Sequence, residues 1–141
     1  MADTVEAIHQ SDLNILELKL SMSKNGSFVM AWVQQENVGS SVWAVREFSG
    51  KRDVKKKINL DDSLGPSGVE VGISSNGNAI VAWNESAQIL SRKFSDVVED
   101  IEKVNNQSID ADHQLKLVSD ETGNAVSIWR DVSGNIKASD F

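Results

Sequence analysis

Gly77-Asn78-Ala79-Ile80-Val81-Ala82-Trp83 decides the fold, because the chain writes it three times. Gly26-Ser27-Phe28-Val29-Met30-Ala31-Trp32 and Gly123-Asn124-Ala125-Val126-Ser127-Ile128-Trp129 are the other copies, each with its Trp six residues after its Gly. The Trp residues stand 51 and 46 positions apart, a period that belongs to repeat architectures. Within the stretch both alternate sets are apolar: Ala79, Val81 and Trp83 on one side, Ile80 and Ala82 on the other. A strand of that kind is buried on both faces, so sheets pack against both sides of it.

Upstream of each Gly, apolar residues alternate with polar ones, at Leu16, Leu18, Leu20 and Met22, at Val69, Val71 and Ile73, and at Leu115 and Leu117. Period-two alternation predicts strands. Each run ends in Lys-Asn-Gly, Ser-Asn-Gly or Glu-Thr-Gly, and Asn-Gly between two strands predicts a tight hairpin with positive φ. A third strand follows at 43–48, 89–94 and 136–141, each ending in Phe, which places Arg46 and Arg92 at matching positions. Phe48 and Phe94 each precede the next Trp by 35 positions, so the length difference between periods sits in the loop 34–41 of the first copy. A fourth strand is expected at 54–60 and again near 100–104. The spacing of Val97, Val98, Ile101 and Val104 also admits a helix, but the matching segment 54–60 has no helical pattern. The third copy stops at Phe141 without a fourth strand, while Thr4–Asp12 resembles Asp100–Asp110 in pattern.

A chain of 141 residues is expected to be one domain with a core of its own. It has no Cys, which excludes disulfides, thiol chemistry and Cys-ligated zinc. No apolar run approaches the length of a membrane span, and the first residues lack the pattern of a signal peptide. A net charge of −7 opposes nucleic acid and anionic membranes as partners.

Four-stranded repeats of this length predict β-propeller blades. The repeat also resembles a family of bacterial β-propeller repeats with a Gly-Asn-Ala-x-x-x-Trp signature. Gly77–Trp83 and Gly123–Trp129 match it directly, and the first copy departs from it with Ser27-Phe28. The resemblance implies an all-β fold and leaves function open. The expected organisation is a single three-blade unit over 1–141: an orphan outer strand at 1–12, blade one at 13–60, blade two at 61–112, and three strands of blade three at 113–141. Three blades are too few for a ring, and an open wedge would expose two apolar faces. Closure by a homo-oligomer is therefore expected, a dimer with six blades ahead of a trimer with nine. Residues 3–10 of one subunit would pair with 135–141 of the next, with Val5, Ile8, Ile136 and Phe141 at the closure. The rival expectation is a fragment of a longer propeller.

Trp32, Trp83 and Trp129 are expected to pack between blades, since they hold identical places. Trp43, after the expanded loop, and the repeated Arg46 and Arg92 are the candidate ligand contacts, each weighed against plain packing or an ion pair. Lys55-Lys56-Lys57 reads as an edge strand guarded against aggregation. Asp110-Ala-Asp112 opens like a calcium loop, but Leu115 stands where its Gly belongs. His9 and His113 are the only histidines, and no Gly-x-Ser-x-Gly or phosphate loop occurs. The expectation is a protein without catalytic residues, metal or cofactor: a binding module for carbohydrate or protein, or alternatively a structural scaffold. The absence of Tyr works against the sugar version.

Overall fold

The computed structural model describes residues 6–105 and 114–141. The strands form three antiparallel sheets in chain order, with no α-helix among the described residues. The first sheet holds β1 (Ile15–Met22), β2 (Phe28–Gln35) and β3 (Ser40–Phe48), with two short pieces, β4 (Lys51–Arg52) and β5 (Lys56–Lys57), both paired to β3. The second holds β6 (Ser67–Ile73), β7 (Ala79–Glu85), β8 (Gln88–Phe94) and β9 (Val98–Lys103). The third holds β10 (Lys116–Ser119), β11 (Ala125–Arg130) and β12 (Ile136–Asp140). Residues 98–103, whose spacing admits a helix, are therefore a strand. Asp110, Asp112 and His113 lie outside the described residues.

The three Gly-containing turns share one construction. Ser23 N–H donates to Ser27 O (2.9 Å), Ser74 N–H to Asn78 O (3.0 Å) and Asp120 N–H to Asn124 O (2.9 Å). Gly26, Gly77 and Gly123 hold φ of 84°, 82° and 102°, while Asn25, Asn76 and Thr122 keep negative φ. The hairpin is thus a three-residue loop with a left-handed Gly, rather than the two-residue primed turn that Asn-Gly suggests. Primed turns occur instead at Ser49-Gly50 and Ser86-Ala87, all four residues with positive φ.

Two cores join the sheets. Val29, Ala31, Val33, Val42, Ala44 and Ile58 of the first sheet and its trailing loop meet Val69, Val71, Ile73, Val81, Trp83 and Phe94 of the second. Ile80, Ala82 and Ile89, on the opposite side of the second sheet, meet Leu115, Leu117, Ala125 and Trp129 of the third. All seven residues of β7 are buried, as a strand apolar on both sides requires. The first strands draw together: Lys19 and Lys116 both pair with Glu70, at 3.3 and 3.0 Å. Glu17 spans the same gap, its carboxylate accepting from Gly68 N–H (2.9 Å) and Val69 N–H (3.1 Å).

The outer strand is clamped the same way twice. Ile58 N–H donates to Val42 O (2.7 Å) and Val42 N–H to the Asn59 side-chain oxygen (2.8 Å). Val104 N–H donates to Ile89 O (2.8 Å) and Ile89 N–H to the Asn105 side-chain oxygen (2.6 Å). These clamps make Val42 the partner of Ile89, one residue away from the Trp43–Ile89 match that the sequence suggests. The pairing agrees, since Trp32 lies opposite Trp43 while Trp83 lies opposite Leu90. Arg46 and Arg92 are consequently not equivalent. A one-residue slip turns a strand side chain to the other face, and the two arginines enter the gap between the first two sheets from opposite sides.

Candidate interface: the outward faces of the first and third sheets

Equivalence around the turn glycine assigns each position a face, and burial then separates inner from outer sheets. Val69, Val71 and Ile73 are at most 7 % exposed, because they face the first sheet. Their counterparts Leu18, Leu20 and Met22 face no sheet and are 60 %, 66 % and 70 % exposed. On the other side, Ile80 and Ala82 are buried against the third sheet. Their counterparts Val126 and Ile128 are 42 % and 44 % exposed. Val118 and Ile136 extend that bare apolar surface. The molecule therefore ends in two faces that have the composition of its interior, one of each kind that mates at the internal junctions.

The three repeated Trp residues follow this geometry. Trp83 fills the first junction and Trp129 the second. Trp32 faces outward, yet it is only 2 % exposed. The segment before β1 covers it: the His9 ring lies 4.8 Å from the Trp32 ring, and His9 Nε2 sits 2.8 Å from Gln34 Oε1. Lys55 Nζ stands 3.0 Å from His9 Nδ1, and Glu6 pairs with Arg52 at 2.7 Å. Lys donates, so Nδ1 accepts and Nε2 carries the ring proton. A cavity of about 280 Å³ remains under this arm, lined by Glu6, Ile8, Ile15, Leu18 and Met30. Residues 6–10, expected to be a strand, form none and lie on their own first sheet. Val5 lies outside the described residues. Ile8 is partly exposed and Ile136 is fully out, whereas Phe141 packs on the core between the second and third sheets, its N–H on Ala125 O at 2.9 Å. The edge of β12 away from β11 carries no fourth strand among the described residues.

The candidate ligand contacts are committed internally. Arg46 is buried, pairing with Asp53 at 2.7 Å and Asp96 at 3.0 Å and donating to Gly77 O at 2.6 Å. Burial alone would weaken its charge, but the two carboxylates outweigh that and hold it protonated. Arg92 donates to Glu99 O (2.6 Å) and Ile58 O (2.9 Å), tying the second sheet to the first. Trp43 is half-buried beside Trp32, its indole N–H on Ser41 Oγ at 2.8 Å and Lys55 over its ring at 5.4 Å. No helix among the described residues is long and apolar enough to cross a membrane.

These features define an all-β protein of three consecutive antiparallel sheets with apolar faces at both ends. Neither a protein-family model nor a curated protein matches the chain.

Proposed function

We propose that this chain is a non-catalytic, self-assembling binding module whose copies pack head to tail, the third sheet of one on the first sheet of the next. The carrying observation is that Leu18, Leu20, Met22, Val126 and Ile128 stand bare at positions whose counterparts are buried at an internal junction. A contact of this kind repeats the junctions already inside the chain, and it is heterologous, so it closes when the rotation allows. Each sheet is then a propeller blade, and two chains make a ring of six, three a ring of nine. Docking displaces the 6–9 arm from Trp32, and the freed arm adds to the open edge of β12. The ring presents its interblade loop 61–67 and its second-to-third-strand loops to carbohydrate or protein.

Light scattering tests the assembly. The expected mass is a small multiple of the 15.4 kDa chain, falling to one chain when Leu20→Glu puts a charge on the outward face. Removal of residues 1–10 should change the oligomer. A folded monomer, or an oligomer indifferent to that deletion, overturns the reading. The same bare faces suit a second occupant, further sheets of a longer polypeptide, and a folded monomer points there.

A further inference from the structure

The junction between the first two sheets is filled from within. Arg46 crosses it to Gly77 O and Asp96, and pairs with Asp53 of its own sheet. Phe48 lies against Gly77 so tightly that a Cβ on that glycine would stand 2.6 Å from the ring. The pairing register places Lys93 where Arg46 stands, since Val29 faces Arg46 and Ile80 faces Lys93 three residues after each turn glycine. Two positions on, Ser95 replaces Phe48, and in the third sheet Gly123 replaces Gly77. The bulk is gone. A Cβ on Gly123 would meet only Ser74, at 3.7 Å. What remains is a cleft of about 280 Å³ walled by Ser74, Ile80, Lys93, Ser95, Ser119 and Gly123.

The charge is unmatched as well. Arg46 has two carboxylates, whereas Lys93, half-buried, has none within ion-pair distance among the described residues. Glu99, exposed, also lines the cleft. Its carboxylate disfavours a ligand carrying two negative charges.

We propose that the cleft between the second and third sheets binds a compact six-membered ring carrying one carboxylate. The ring rests over Gly123 as Phe48 rests over Gly77, and the carboxylate takes the Lys93 ammonium as Asp53 and Asp96 take Arg46. A sugar acid and an aromatic acid share this chemistry. The inference goes beyond the reading above, because the cleft lies at the end of the sheets that carries the Gly77 and Gly123 turns and not at the loops named there, and it does not depend on self-assembly, because the cleft lies within one chain.

Titration of the isotope-labelled chain with glucuronate, benzoate and glucose, followed by amide chemical shifts, tests it. One or both acids should move the amides of Lys93, Ser119 and Gly123, and glucose at the same concentration should not. The tighter acid identifies the source. Lys93→Met, which keeps the stem and removes the charge, should weaken binding about tenfold. Ser95→Phe, restoring the missing ring, should abolish binding with unfolding temperature and mass unchanged. Silence from both acids at millimolar concentration, or equal binding by Lys93→Met, overturns the proposal, whatever mass light scattering gives. Should Ser95→Phe fail to fold, the Lys93→Met comparison decides alone.

Discussion

At the scale of single residues, the turns hold the clearest charge effect. The Asp120 carboxylate accepts side-chain bonds from Asn124 (2.7 Å) and Thr122 (2.8 Å) and backbone N–H bonds from Thr122, Gly123 and Asn124 (each 2.9 Å). These bonds favour the ionised form and hold its pKa well below the usual carboxylate range. A depressed folded-state pKa contributes stability that is present above the unfolded value, about 3.9, and is lost as pH falls through the folded one. The expected outcome is an unfolding temperature that declines below about pH 4, with a shallower decline in Asp120→Asn. Asp131 is lowered by Asn135 in the same way and adds to the slope. Glu85 works in the opposite sense. Burial raises its pKa although the Trp83 indole N–H, at 3.0 Å, supports the charge, so its share is lost as pH rises. A second residue test compares two glycines with nearly the same φ. Gly26→Ala meets nothing within 4 Å and should cost only the left-handed strain, about 1 kcal/mol. Gly77→Ala adds a collision with Phe48 and should cost clearly more by denaturant unfolding.

At the scale of elements, the hairpin β7–β8 turns on Ser86 and Ala87, with φ of 49° and 59° and neither a glycine. Replacing the pair by Asn-Gly, the residues that a primed turn favours, should stabilise the fold by about 1 kcal/mol and raise the unfolding temperature. Most strands were legible because their period is two or because, as in β7, both faces are apolar. The register of β3 was not. Aligning Trp43 with Ile89 and Phe48 with Phe94 maximises similarity of residue type, while the Asn59 and Asn105 clamps align Val42 with Ile89. Side-chain likeness does not encode a backbone hydrogen bond, and one residue of error reverses the face. Arg46 and Arg92 therefore looked like a repeated site and are two separate ties across one junction.

At the scale of the whole molecule, a heterologous contact makes a prediction that a symmetric one does not. Leu20→Glu spoils only the face of the first sheet, and Ile128→Glu only that of the third. Each variant alone should be monomeric. Mixed in equal amounts, they should form a complex of two chains and no larger, because one sound face of each kind remains. Sedimentation velocity reads this directly, and a mixture that stays monomeric counts against head-to-tail packing. Salt should have little effect on the contact, since the exposed residues are mainly aliphatic.

The sequence by itself determined the three sheets, their order and the positions of their turns, because all of these follow from local period and from repetition. It also implied two bare faces, through the count of repeats. Only the tertiary structure decided that the 6–9 arm covers Trp32, that Arg46 and Arg92 are already committed, and that Lys93 and Ser95 leave a cleft. Those facts depend on tertiary contacts between residues 25 to 50 positions apart in the chain, which no local pattern records.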